Sequence, residues 1–207
     1  MPKIVDHEER RRELALAVWR VIRDQGVERA SVRTVAKEAG WSPGALRHYF
    51  TTQSELLAFA MRLVVERIEG RIAALERTTD PRKAVEQVLH ELLPLDDERR
   101  AENEVWLAFT ARALVDPELR DLHSEVHDAL REACASSLAT FTGARANPAA
   151  PATALQVERL HALVDGLAVH TALRPDLMTP EHIVAVMRLH LNALDNKTRL
   201  AQPTASP

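Results

Sequence analysis

Apolar residues recur every three or four positions along almost the whole chain, which is the spacing of a helix with one buried face. No segment alternates between apolar and polar residues as a half-buried β-strand does. The first apolar stripe consists of Leu14, Ala17, Val18, Val21 and Ile22. Asp6 and Glu9 precede it at the spacing of a capping box, and Gly26 follows it as a C-terminal cap would. The pattern predicts a first helix that ends at Gly26.

Two short helices separated by a glycine are predicted next. Ser31 can cap the first of them, whose inner face would consist of Val32, Val35, Ala36 and Ala39. Gly40 then turns the chain. Ser42 followed by Pro43 gives an N-cap and a proline at the first helical position, so the second short helix is predicted to run to about Phe50.

Six longer helices follow in this interpretation. Thr52 and Glu55 form another capping box, from which a fourth helix can reach about Glu76. The fifth helix is predicted from Pro81 to about Leu93, and the sixth is centred on Trp106, Phe109 and Leu114. The seventh begins at Asp116-Pro117, and its apolar stripe consists of Leu119, Leu122, Val126, Leu130, Cys134 and Leu138. The eighth runs from about Thr153 to Leu173, and the ninth begins at Thr179-Pro180 with an inner face of Ile183, Val186, Met187, His190, Leu191 and Leu194. "GARANPAAPA" is predicted as a loop, and residues 199–207 as a disordered tail.

Composition agrees with an all-α chain of about nine helices. Of the 207 residues, 46% are apolar and only 6 are glycine, so the chain can bury a core and favours helix. The single cysteine, Cys134, excludes an internal disulfide framework. Neither a membrane-spanning apolar run nor a signal peptide is apparent, so we expect a cytoplasmic protein without a membrane partner.

Charge is distributed unevenly along the chain. Residues 1–52 contain ten Lys and Arg against seven Asp and Glu, whereas the remainder contains 17 against 23. A basic front and an acidic body indicate that only the front would meet a polyanion, although so modest an excess could arise by chance.

The second and third helices, joined by about three residues around Gly40, have the arrangement of a helix-turn-helix. Such a motif places short or cationic side chains of its second helix against DNA, as Ser42, Gly44, Ala45, Arg47 and His48 would be placed. We expect the inner positions to be Leu46 and Phe50, and Tyr49 to pack its ring while its hydroxyl reaches a phosphate.

The segment "AVWRVIRDQGVERASVRTVAKEAGWSPGALRHYF", followed by "TTQSELL", resembles the DNA-binding domain of the TetR family of repressors. "MPK" and "LRHYF" are most similar to the choline/betaine-type regulators of that family. "WLAF", "LVDGLAVHTAL" and "TPEHIVAVMRLHL" are similar to their C-terminal domain. The resemblance implies a DNA-binding domain at 1–52 and a helical ligand-binding and dimerisation domain at 53–198.

By the resemblance, Arg33 contacts a base or a phosphate, unless it is only an exposed helical arginine. Gln53 stands where the family usually has a lysine near phosphate, so that contact would lose its charge. Trp41 replaces a small aliphatic residue in the turn, which we interpret as packing, with contact to DNA as the alternative. The residues predicted to bind DNA are Ser31, Arg33, Thr34, Ser42, Gly44, Ala45, Arg47, His48, Tyr49, Thr52 and Gln53.

The resemblance also implies an inducer cavity and a dimer. The predicted ligand-binding residues are Leu89, Leu93, Trp106, Phe109, His127, Leu130 and Asp165. A ring face with Asp165 would suit an amine, whereas the many aliphatic residues favour, slightly, an apolar ligand with His127 as a polar contact. A second copy is predicted to pack on the last two helices through Leu160, Leu163, Gly166, Leu167, Ile183, Met187, His190 and Leu191, unless these residues only close the monomer core.

The favoured function is a homodimeric repressor that a small-molecule inducer releases from a palindromic operator in double-stranded DNA. One alternative is a helical ligand carrier that does not bind DNA. Another is a metal-responsive regulator, because His123 and His127 have the four-residue spacing of metal ligands on a helix. No phosphate loop, nucleophile elbow or base for Cys134 is apparent, so neither an enzyme nor a cofactor is expected.

Overall fold

The computed structural model describes residues 7–143 and 151–200, and within them the chain is helical. The helices are α1 (His7–Gln25), α2 (Val32–Ala39), α3 (Pro43–Leu46), α4 (Gln53–Ala73), α5 (Pro81–Glu91), α6 (Asp97–Ala113), α7 (Arg120–Thr142), α8 (Pro151–Leu173) and α9 (Pro180–Leu200). Short 3-10 helices at Val27–Arg29 and Pro117–Leu119 precede α2 and α7. The all-α prediction is confirmed.

Local capping sets the starts of the helices where the sequence predicts them. The Ser31 hydroxyl accepts a hydrogen bond from the Thr34 amide at 3.2 Å and begins α2. The Glu55 carboxylate accepts from the Thr52 amide at 3.2 Å, and the Thr52 hydroxyl accepts from the Glu55 amide at 3.1 Å, so this capping box is confirmed. The box predicted at Asp6 lies outside the described residues.

Helix ends were predicted less well. α3 ends at Leu46 rather than Phe50, because the amides of His48 and Tyr49 bond to carbonyls three residues back and form a tighter turn. α4 and α5 end at Ala73 and Glu91, two or three residues early. α6 ends at Ala113, so Leu114 is 75% exposed beyond it. α9 continues to Leu200, past the predicted start of the tail, and residues 201–207 lie outside the described part.

The first of two compact units comprises the chain up to Gly70 together with Arg100–Val126. Its core joins α1–α3 to the first half of α4 and to α6. The largest of its fully buried side chains are Leu14, Ile22, Leu46, Leu56 and Phe109. The predicted domain boundary after Thr52 falls inside this unit, because apolar residues of α4 such as Leu56 and Met61 pack into the same core.

The second unit comprises Arg71–Arg99 and the chain from His127 onward. Its core is formed by α5, the C-terminal part of α7, α8 and α9. The inner stripe predicted on α9 is buried there, with Ile183, Met187 and Leu191 at 0–1% exposure. None of the described helices is long and apolar enough to cross a membrane.

The turn between α2 and α3 depends on one glycine. Gly40 has a φ of 70° and closes α2 with hydrogen bonds from its amide to Ala36 and Lys37. We expect Gly40→Ala to lower the free energy of unfolding by about 1–2 kcal/mol, because a β-carbon is strained in that conformation. Gly44→Ala is the matched control, since Gly44 lies in α3 and the atom nearest to an added β-carbon is 3.9 Å away. Denaturant melts that rank the two variants equally would contradict this account.

Cys134 lies fully buried in the second core, and burial raises the pKa of its thiol to about 12. Because the thiolate is the reactive form, we expect Cys134 to resist a disulfide reagent at pH 8 until the protein unfolds. The control is Cys134→Ser with Ser136→Cys, which moves the thiol to an exposed position of α7 and should react at once. Rapid labelling of native wild-type protein would show that this core opens readily.

Candidate nucleic-acid interface

α2 and α3 form a helix-turn-helix whose orientation is set by buried apolar residues. Val35 and Ala36 of α2 are fully buried against α1, and Leu46 anchors α3 with no exposed surface. Phe50, in the segment after α3, is 5% exposed and lies with its ring centroid 5.1 Å from that of Phe59. The prediction that Leu46 and Phe50 point inward is confirmed. The opposite side of α3 is consequently turned to solvent.

That solvent-facing side presents the residue types predicted to meet DNA. Gly44, Ala45, Arg47 and His48 are exposed, and so is Arg33 on α2. Within the described part of the chain, neither Arg33 nor Arg47 forms a salt bridge. Their guanidinium groups therefore keep their hydrogen-bond donors for an external acceptor such as a phosphate or a guanine.

Several other predicted DNA contacts are engaged within the chain. The Ser42 hydroxyl accepts from the Ala45 amide at 3.1 Å, while the hydroxyls of Ser31 and Thr34 lie 2.7 Å apart. The Gln53 side chain is engaged in the same way, because its Nε2 donates to the Ala30 carbonyl at 2.5 Å. This bond fixes the start of α4 to the segment before α2. The amide nitrogen has a second N–H, so a contact between Gln53 and a phosphate stays a prediction.

Tyr49 and Trp41 form a half-buried aromatic pair beside the turn, with ring centroids 5.5 Å apart. The Trp41 ring is packed, as interpreted from the sequence. The guanidinium of Arg10 lies 5.7 Å from the centroid of the same ring. Sequence reasoning missed Arg10, whose only signal was a cation at the start of the first helix.

A polar network connects the first turn of α4 to the segment that follows α6. The buried Ser54 hydroxyl, in the first turn of α4, donates to Asp116 Oδ2 at 2.5 Å, and Arg112 Nε lies 3.3 Å from both oxygens. The hydrogen bond from Ser54 is the main cause that lowers the pKa of Asp116. Asp116 also accepts from the Glu118 amide, which is the capping role the sequence suggested. The network fixes the start of α4 to the segment between α6 and α7.

The predicted ligand-binding residues fall into two groups. Trp106 and Phe109 belong to the first unit, where both rings stack on His123 at 5.6 and 6.1 Å between centroids. The other predicted residues belong to the second unit: Leu89, Leu93, His127, Leu130 and Asp165. Leu89 and Leu93 are closed core residues with at most 1% exposure, and their role as ligand contacts stays a prediction.

His123 and His127, which have the spacing of metal ligands, each contact another ring. The ring of His127 lies 4.6 Å from that of His161, on α8, while His123 stacks on Trp106. Over residues 7–143 and 151–200, no group of three His, Cys, Asp or Glu side chains is placed to hold a metal ion. Both histidines thus take part in aromatic contacts within their own units.

The residues predicted at a dimer interface require a correction. Five of the eight lie in the core of a single chain at no more than 4% exposure: Leu160, Leu167, Ile183, Met187 and Leu191. A side chain already surrounded by its own chain has no surface to offer a partner. Among residues 152–195, the large apolar side chains that are exposed are instead Leu155, Val169, Leu173, Leu177 and Leu189.

Comparison with known proteins assigns the family. Residues 16–60 match the family of bacterial regulatory proteins designated tetR, and residues 81–196 match the C-terminal family of BetI-type transcriptional repressors. The chain is 43% identical over 195 residues to the HTH-type transcriptional regulator PksA of Bacillus subtilis (strain 168), with 94% of each chain covered.

Two solved structures share the fold. A transcriptional regulator from Rhodococcus sp. Rha1 is 33% identical, with a TM-score of 0.74 and coverage of 88% of this chain and 94% of that one. A regulator from Saccharomonospora viridis, solved in complex with choline, is 25% identical, with a TM-score of 0.73 and coverage of 90% and 95%. The expected resemblance is confirmed, and with it the exclusion of an enzyme. This chain belongs to the TetR family of DNA-binding transcriptional regulators and has a BetI-type C-terminal domain.

Proposed function

We propose that the protein is a homodimeric repressor that a small-molecule ligand releases from a palindromic operator. The observation that carries the proposal is the exposed face of the helix-turn-helix, where Arg33, Arg47 and His48 stand free of internal ion pairs in the described part of the chain. Arginine can donate two hydrogen bonds to guanine, and Gly44 and Ala45 leave room for α3 to approach the groove closely.

Recognition by a dimer would double this contact. α3 has one helical turn and can read only a few base pairs, so two copies about 34–36 Å apart would be needed for a specific site. The surface we assign to the second copy is the exposed side of α8 and α9. Leu155, Val169 and Leu173 share one face of α8 because they are separated by 14 and four residues, close to whole turns. Ala185 and Leu189 line a shallow groove on α9.

Release requires a ligand whose affinity differs between the DNA-binding state and another state. The Ser54–Asp116–Arg112 network supports such coupling, because it ties the first turn after the helix-turn-helix to the junction of α6 and α7. A movement of the segment between α6 and α7 would be passed to the start of α4 directly through the hydrogen bond between Ser54 and Asp116. The choline complex of the Saccharomonospora viridis regulator supports a small-molecule effector in this family.

Arg33→Ala and Arg47→Ala test the assignment of the reading residues. Each should weaken operator binding by about 1–3 kcal/mol and relax the preference at one position per half-site. Arg120→Ala is the matched control, since Arg120 is an exposed arginine at the start of α7 in the same unit. Binding would be measured on selected genomic fragments over a salt series, with affinity falling steeply as salt rises.

If both variants retain the parent's sequence preference, other residues read the bases. A protein that retains no DNA at any salt concentration would instead be a carrier.

Leu173→Asp and Leu189→Asp test the dimer surface. Both leucines are exposed, at 71% and 70%, so each variant should stay folded but sediment as a monomer and bind the operator more weakly. Leu16→Asp, at another exposed leucine, should remain dimeric. Met187→Asp should unfold the chain, because that side chain is buried. A folded double variant of Leu173 and Leu189 that remains a dimer would refute the assigned surface.

A further inference from the structure

A polar cluster lies within the apolar second unit, formed by His127 of α7 with His161 and Asp165 of α8. The rings of the two histidines are 4.6 Å apart and tilted by 54°. His161 Nε2 lies 3.5 Å from Asp165 Oδ2, one helical turn away. His161 is 3% exposed, and the adjacent stripe residues Leu160 and Val164 belong to the hydrophobic core.

Two buried atoms of this cluster lack a hydrogen bond. They are His161 Nε2 and Asp165 Oδ1. Such an arrangement is unfavourable in a folded chain, since a buried polar atom normally finds a partner. The 3.5 Å approach of His161 to Asp165 does not satisfy either atom, because its geometry is not that of a hydrogen bond. The cluster thus resembles one half of a recognition site.

The chemistry of the two atoms selects what would complete the site. A carboxylate oxygen can only accept, and an imidazole nitrogen accepts when the proton is on the other ring nitrogen. Both needs are met by a group that donates more than one N–H and carries a positive charge. The side chain of Asp165 is 39% exposed, so the carboxylate can be reached from solvent while one of its oxygens remains buried.

We propose that His161 and Asp165, with the ring of His127 packed beside His161, bind the ammonium end of a primary or secondary amine whose remaining part is apolar. The proposal rests on the proposed function, because it names the ligand class of a regulator that responds to a small molecule. It replaces the slight preference for an apolar ligand with His127 as a polar contact that residue composition suggested. The apolar part of the ligand would be held by the surrounding second core, to which Leu130 and Cys134 belong.

The same geometry discriminates between amines. A quaternary ammonium group has charge but no N–H, so it would leave His161 Nε2 and Asp165 Oδ1 without donors. A neutral alcohol has one donor and no charge, so it would satisfy only one of the two atoms. An anion would be repelled by Asp165. N–H donation is therefore the property that the site recognises, in addition to charge.

A series of one chain length tests this preference. Hexylamine, hexyltrimethylammonium and hexan-1-ol would be titrated into the wild-type protein by calorimetry, with melting temperature as a second readout and no DNA present. Hexylamine should bind at least tenfold more tightly than the other two. Equal affinity for the quaternary ion or the alcohol would overturn the proposal, and so would the absence of hexylamine binding to folded protein.

Variants then locate the site. Asp165→Asn removes the charge with little change of shape, and His161→Phe keeps a ring while removing the nitrogen. Each should lose at least tenfold in hexylamine affinity, whereas His170→Gln, at an exposed histidine of α8, should bind as the wild type does. Retained affinity in folded Asp165→Asn would place the amine elsewhere. Because these titrations omit DNA, a failure of operator binding would refute the proposed function without affecting this result.

Discussion

The burial of Leu46 and Phe50 in the first core is the constraint on which the DNA-facing side of the molecule depends. A four-residue helix has almost no stability of its own, since nucleation costs more than one hydrogen bond returns. α3 is therefore held by its surroundings: Ser42 caps its start, Gly40 sets its direction, and Leu46 fixes its rotation because that side chain is fully buried. Once Leu46 faces inward, Arg47 and His48 must face outward.

The same core extends beyond the helix-turn-helix and gives it connections to the rest of its unit. Leu56 and Met61 of α4 share the cluster with Val105 and Phe109 of α6. The Ser54–Asp116 hydrogen bond adds a directional contact to this non-directional packing. Apolar contacts tolerate small sliding movements, whereas a hydrogen bond to a buried hydroxyl is lost when its partner shifts by about an ångström. In the proposed release from DNA, this hydrogen bond would respond to a movement of the segment between α6 and α7 more sharply than packing alone.

Local features were predictable from the sequence, and contacts between distant residues were not. The caps at Ser31, Ser42 and Thr52 each join residues only three positions apart, so a short stretch of sequence contains both partners of the hydrogen bond. Ser54 and Asp116 are 62 positions apart, and nothing in either neighbourhood indicates the other. The ends of helices were predicted less well for a similar reason. The turn after α3, for example, depends on where the side chains of Tyr49 and Phe50 pack.

The proposed dimer surface illustrates a different limit. Periodicity identifies the apolar face of α9 but does not tell whether a second helix of the same chain or of another chain covers it. The fold resolves this for Ile183 and Met187, which its own core covers. The exposed leucines of α8 and α9 lie on the faces of these helices that point away from the core. The sequence did not indicate them, because they are scattered among polar residues and form no apolar stripe.

The buried polar atoms of His161 and Asp165 are not explained by the requirements of folding. In most of the described chain, propensity, capping and burial agree, which is what a sequence selected for folding alone would produce. A carboxyl group and an imidazole placed within 3.5 Å without a hydrogen bond disagree with that rule. Buried polar atoms without partners lower the stability of a fold, so folding alone does not explain their presence. The proposed amine site does explain it, because one bound group would pair with both atoms.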